Sequence, residues 1–162
     1  MKGVIIYATR YGCTEKAVKL LQAKIPGGMA AVNVAKEPAP DLSAFDTVIL
    51  GGPIYLGKMH GALSAYLRRN REALLGKRLA LFICAGEQEP AVVEQELADA
   101  FPKELADRAV VREAFGGELH LDRLDWATKL VIRLVKGIKA DYARLSETRI
   151  DRLAREVCAA QA

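Results

Sequence analysis

The run Thr9-Arg10-Tyr11-Gly12-Cys13-Thr14 has the residue types and spacing to hold a phosphate monoester. The Thr9 and Thr14 hydroxyls can donate to phosphate oxygens, and Gly12 lets the chain turn sharply between them. An apolar stretch, Val4-Ile5-Ile6-Tyr7-Ala8, precedes the run and a helical pattern follows it. Its backbone N–H groups would therefore converge at a helix N-terminus, where an anion is favoured. Arg10 adds a positive charge. Two nucleotide-binding motifs can be excluded. A Walker A loop requires a lysine directly before its last hydroxyl residue, and here Cys13 precedes Thr14. The dinucleotide fingerprint requires three spaced glycines, and here Gly12 stands alone. By itself the run also reads as an ordinary strand end and helix start.

Two further segments could build a site beside this loop. Gly51-Gly52-Pro53-Ile54-Tyr55-Leu56-Gly57-Lys58-Met59-His60 places Ile54, Tyr55, Leu56 and Met59 where a polar loop is expected. An aromatic ring there suits stacking on a planar ligand, although packing on the neighbouring helix would also account for it. Ala85-Gly86-Glu87-Gln88-Glu89-Pro90 offers a glycine turn with polar groups that can bond the edge of a heterocycle. Together the loops suggest a phosphate cradle, an apolar-aromatic wall and a polar wall, which is a site for a phosphorylated planar cofactor. Among the histidines, His60 reads as a helix cap, a solvated side chain or a proton-transfer group; His120 is equally open.

The elements that must position these loops alternate in type. Short apolar strands are expected at Val4–Ala8, Ala30–Val34, Phe45–Leu50, Arg78–Cys84 and Arg108–Phe115. Helical spacing marks Thr14–Ile25, His60–Glu72, Pro90–Ala106, Asp122–Lys139 and Thr148–Ala159. Alternating strands and helices predict an α/β fold: a doubly wound, five-stranded parallel sheet with helices on both faces. The length favours the order 2-1-3-4-5, and ligands in such sheets sit beyond the carboxyl ends of the strands. One domain over residues 1–162 is expected, with an extra helical segment at about 118–146 after the fifth strand.

Bulk properties narrow the class. The 162 residues are 51% hydrophobic and carry a formal net charge of +4. The basic residues are scattered among acids without interleaved aromatics, so no nucleic-acid partner is expected. Cys13, Cys84 and Cys158 lack metal-ligand spacing and are odd in number, so neither a metal site nor a disulfide framework is expected. The N-terminus lacks a signal-peptide pattern, which makes the cytoplasm the expected compartment. In the late segment, Leu124, Ala127, Leu130, Val131, Leu134, Val135 and Ile138 form an apolar stripe opposite Lys129, Arg133, Lys136 and Lys139. This reads either as a helix covering the sheet or as a surface for a membrane, a quinone-linked partner or porphyrin carboxylates. Membrane association through the helix at 123–139 follows from the second reading.

The three loops resemble the flavodoxin family. Thr9–Thr14 is similar to that family's T-x-x-G-x-T phosphate loop, Gly51–His60 to its first flavin-flanking loop, and Ala85–Glu89 to its second. A closer resemblance is to the flavodoxin-domain branch containing menaquinone-dependent protoporphyrinogen IX dehydrogenase. That branch carries an S-I-x-Y-G-x-x-H type of loop, read here as Pro53-Ile54-Tyr55-Leu56-Gly57-Lys58-Met59-His60, with Pro53 replacing the serine. The resemblance implies FMN as cofactor, held by Thr9, Arg10, Tyr11, Gly12, Cys13 and Thr14 at its phosphate. Pro53, Ile54, Tyr55, Leu56, Gly57 and Lys58 would contact one side of the flavin, with Tyr55 stacking. Ala85, Gly86, Glu87 and Gln88 would contact the other. No catalytic acid–base residue is expected. The implied function is an oxidoreductase or electron-transfer protein with a redox partner, a porphyrinogen or a quinone as substrate. The alternative is a binding or regulatory module of the same fold without redox activity.

Overall fold

The computed structural model describes residues 2–138 and 140–159. Five parallel strands form the sheet: β1 (Gly3–Tyr7), β2 (Ala30–Asn33), β3 (Thr47–Tyr55), β5 (Arg78–Cys84) and β6 (Val111–Ala114). A short strand, β4 (Lys58–Met59), folds back antiparallel on the end of β3. The sheet order is β2-β1-β3-β5-β6, which is the expected 2-1-3-4-5 once β4 is set aside. Thr47 to Ile54 of β3 and Leu79 to Cys84 of β5 are buried throughout. Continuous burial is what a central parallel strand covered on both faces requires.

Helices cover both faces. On one, α1 (Cys13–Lys24) and α7 (Glu147–Ala159) bury Ala17, Leu21, Ile150 and Leu153 against Ile5, Ile49 and Phe82. On the other, α2 (Gly61–Arg69), α3 (Arg71–Leu75), α4 (Pro90–Asp99) and α5 (Lys103–Arg108) pack Leu63, Leu74, Leu97 and Leu105 on Ile6, Leu50 and Leu81. Register aligns Tyr7 with Gly51, Gly51 with Phe82, and Ile83 with Ala114. The segments after β1, β5 and β6, and the far end of β3, therefore emerge at one edge of the sheet.

The structure departs from the expected elements in four places. β3 does not stop at Leu50 but runs through Gly51-Gly52-Pro53 to Tyr55. The glycines that resemble a turn signal instead make room: a side chain on Gly51 would strike the Phe82 ring. The helix expected over 90–106 is split into α4 and α5 by Pro102, which cannot donate to a helical carbonyl. The helix expected to begin at His60 is likewise two, with Asn70 between α2 and α3. The last strand begins at Val111, because Lys103–Arg108 is helical.

The segment after β6 has structure of its own. β7 (Glu118–Leu119) pairs antiparallel with β8 (Tyr142–Ala143), and α6 (Trp126–Lys136) lies between them. Asp125 caps α6, its carboxylate accepting the Thr128 N–H at 2.9 Å, and Gly137 ends it in the left-handed region. Leu124 and Ile132 are buried with Leu119 against Tyr11, Ile138 and Tyr142. The middle of the expected stripe, however, is not covered: Leu134 is 75% exposed, with Leu130, Val131 and Val135 also exposed, and Trp126, outside the stripe, is 79% exposed. α7 and α4–α5 already cover the two sheet faces, so this helix has no sheet beneath it. Lys139 lies outside the described residues.

Candidate functional site

A cavity of about 530 Å³ opens at the shared sheet edge. Its first wall is the end of β3. Leu56 (φ 50°) and Gly57 (φ 74°) both adopt left-handed backbone and turn β3 into β4. Two successive positive-φ residues suit the right-handed twist of a two-residue hairpin. The turn leaves Pro53, Ile54, Tyr55 and Leu56 on the cavity lining, with Leu56 half exposed. Gly57 and Lys58 are at the hairpin and off the lining. Burial pushes the Tyr55 hydroxyl well above the ordinary phenol range, with the Cys13 sulfur adding to the shift. The Tyr55 ring meets Tyr11 edge-on at 5.5 Å.

The second wall is Gly86, Glu87 and Gln88, following β5. Ala85 is buried behind them, with its N–H donating to the Gly116 carbonyl. Cys13 and Cys84 form the floor. The third wall was not legible in the motifs. It comes from the β7–β8 segment: Gly117, Glu118, Leu119, Ile132, Ile138, Asp141, Tyr142 and Arg144 all line the cavity. Tyr142 lies so close to Gly86 that any side chain there would collide with the phenol ring. Arg144 stacks over Tyr142 at 4.9 Å. With the Gln88 amide oxygen turned toward it, Arg144 Nε donates at 2.7 Å.

The loop from Thr9 to Thr14 borders the cavity at Cys13. Thr9 is buried, and its Oγ1 accepts the Gly12 N–H at 3.0 Å, closing the loop on itself. Gly12 (φ 93°) caps α1, and its carbonyl accepts the Lys16 N–H at 3.0 Å. The N–H groups of Cys13, Thr14 and Glu15 lie in the first turn, where a helix supplies no acceptor of its own. Thr14 is fully buried, and its Oγ1 has no hydrogen-bond partner, although the Cys84 thiol lies beside it. Arg10 sits over the Tyr11 ring at 5.3 Å. A second cation, absent from the motif, stands at the loop: Arg123 Nη1 donates to the Tyr11 carbonyl at 3.4 Å and lies beside Gly12. It arrives from 121–123, a 3-10 turn remote in sequence, so no local spacing could have announced it.

The histidines do not enter the cavity. His60 is the N-cap of α2, its Nδ1 accepting the Ala62 N–H at 3.2 Å. Burial, with the Arg10 charge, lowers its pKa from the ordinary imidazole value. His120 lies between the carboxylates of Glu118 and Asp141, 3.7 and 3.8 Å away, on the segment that forms the third wall.

The comparisons with known proteins agree with this fold. A family model described as a flavodoxin domain matches residues 4–146. The chain belongs to the flavodoxin domain family. Among solved structures, the two-electron reduced flavodoxin of Megasphaera elsdenii superposes with a TM-score of 0.63, at 14% identity, over 99% of both chains. The rubredoxin oxygen:oxidoreductase of Desulfovibrio gigas gives 0.55 at 14% identity, over 99% of this chain and 37% of that one. The flavodiiron protein of Giardia intestinalis gives 0.50 at 16% identity, over 96% of this chain and 38% of that one. The chain thus spans under two-fifths of these two larger proteins. No curated protein sequence matches it significantly.

FMN is the cofactor that this family implies, and the residues present fit it. The first turn of α1 offers free amides, Thr14 holds an orphaned hydroxyl, and Arg123 supplies positive charge. The cavity beside them combines an apolar wall at Ile54–Leu56 with a polar one at Glu87–Gln88. The chain is thus a flavodoxin-domain protein with FMN as its cofactor.

Proposed function

We propose that this flavodoxin-domain protein is an FMN-dependent oxidoreductase of the protoporphyrinogen-dehydrogenase-like kind, oxidising a porphyrinogen or exchanging electrons with a quinone. The observation that carries this reading is the segment of about 118–146, an addition to the sheet that walls the cavity from inside and exposes apolar residues outside. A protein that only ferries electrons needs its flavin edge open to partners. Here Tyr142 and Ile132 instead line the cavity in which the cofactor would sit.

When bound, FMN supplies the electron-accepting and electron-donating chemistry. The chain's own residues position it. Thr9, Arg10, Tyr11, Gly12, Cys13 and Thr14, together with Arg123, hold the phosphate end. Pro53, Ile54, Tyr55 and Leu56 on one side and Gly86, Glu87 and Gln88 on the other would hold the ring, with Tyr55 and Leu56 excluding water. α6 presents Trp126, Leu130 and Leu134 to the outside with Lys129 and Arg133 on the same short helix. That combination suits the interface of an anionic membrane, where quinones reside. No helix of the described chain is long and apolar enough to cross a membrane.

Anaerobic titration of the purified protein with FMN, followed by visible absorption, tests the cofactor. Addition of protoporphyrinogen or a menaquinone analogue to the loaded protein then tests the substrate. Bleaching by the porphyrinogen and reoxidation by the quinone support the proposal. A loaded protein that neither substrate oxidises or reduces leaves a flavodoxin-type carrier. A protein that takes up no FMN is a binding module of the same fold.

A further inference from the structure

The floor of the cavity holds two thiols to which flavin binding assigns no chemistry. Cys13 opens α1 and Cys84 closes β5; both are reduced, mostly buried and exposed to the cavity. They lie in one apolar cluster and line the same cavity floor, the Cys84 thiol being near enough for its hydrogen bonding to shift the pKa of Cys13. Cys13 Sγ also accepts the Glu118 N–H at 3.2 Å. It sits in the first turn of a twelve-residue helix, whose N-terminal dipole favours a thiolate.

These contacts divide the pair. The bond from Cys84, then the Glu118 amide and the Lys16 charge, hold Cys13 below the ordinary thiol range against its burial. The same bond, with full burial, pushes Cys84 well above it. One thiol is prepared to attack and the other keeps its proton until a second step. Cys158, on α7, does not line the cavity.

We propose that Cys13 and Cys84 form a redox-active dithiol that a small hydroperoxide converts to a disulfide. The Cys13 thiolate attacks a peroxide oxygen: a sulfur–oxygen bond forms, the oxygen–oxygen bond breaks, and the departing alkoxide leaves as the alcohol after taking a proton. Cys13 is then a sulfenic acid. Cys84 attacks the Cys13 sulfur, the sulfur–sulfur bond forms and the sulfur–oxygen bond breaks, and the hydroxide leaves as water with the Cys84 proton. Two thiols have lost two electrons to one peroxide, yielding alcohol and water. The burial of Cys13 restricts access to reagents of about this size. The chemistry needs no flavin, so it stands apart from the cofactor reading.

The test is limited oxidation of the purified full chain by hydrogen peroxide, followed by alkylation and peptide mass mapping. The expected product is a Cys13–Cys84 cross-linked peptide pair that dithiothreitol reverses, with Cys158 still alkylated. C84S should halt at a Cys13 sulfenic acid that dimedone traps, and C13S should leave Cys84 alkylatable at the same dose. Oxidation of Cys158 as fast as Cys13, or Cys13 passing to the sulfinic acid without a disulfide, would overturn the proposal. A chain that binds FMN yet forms no disulfide refutes only this inference; one that forms the disulfide but binds no FMN refutes only the cofactor reading.

Discussion

Replacing Thr14 by valine should change the empty and the loaded protein in opposite directions. Thr14 is fully buried, and its hydroxyl has no hydrogen-bond partner. An unmet buried hydroxyl costs about 1–3 kcal/mol. Valine has the same branched shape and a similar helix propensity, so the exchange removes that cost without opening a cavity. Thr14→Val should therefore stabilise the FMN-free protein by about 1 kcal/mol or more in urea denaturation. In the loaded protein the hydroxyl donates to a charged phosphate, a bond worth about 1.5–3 kcal/mol. Its loss should weaken FMN roughly tenfold to a hundredfold, at 1.4 kcal/mol per tenfold. Thr14→Ser keeps the hydroxyl and should hold the affinity close to that of the parent. Flavin fluorescence titration reads the affinity. A valine variant that is less stable when empty and binds FMN as tightly as the parent would show that the hydroxyl serves Cys84 and not a phosphate.

Three other outcomes follow from single contacts. Gly86→Ala should push Tyr142 off the second wall, speeding proteolysis within 118–144, and Tyr142→Ala in the same chain should suppress the effect; equal cleavage of single and double variants would refute the close packing. At pH 8 His60→Ala should cost about 1 kcal/mol, the value of a helix cap. The His60 pKa is lowered on folding, so its contribution is complete above the unfolded value of 6.5 and is lost as pH falls through the folded one. The stability gap between parent and variant should therefore close in acid, and a gap that widens there would invert the assignment. Trp126, the chain's single tryptophan, is 79% exposed. Its emission should shift to the blue on mixing with phosphatidylglycerol vesicles and less so in high salt. Unchanged emission would remove α6 from the membrane.

The sequence alone determined the layers and the site's edge. Buried parallel strands need unbroken apolar runs, and Val4–Ala8 and Leu79–Cys84 supply them locally. The turn from β1 into α1 was legible because Thr9, Gly12 and Thr14 lie within one short stretch of chain. Ordinary local signals misled where packing overrode them: Gly51-Gly52 spelled a turn, yet the space at Gly51 is taken by Phe82 from the neighbouring strand and that at Gly52 by Met59 and Leu63. Only the tertiary structure brought Arg123 to Gly12, Tyr142 to Gly86 and Cys84 to Cys13. Each pair joins segments far apart in the chain, where no periodicity connects them. The apolar stripe of α6 shows the same limit from the other side. Amphipathic spacing fixes which side chains share a helical face, but whether that face is buried depends on what the fold has already placed over the sheet.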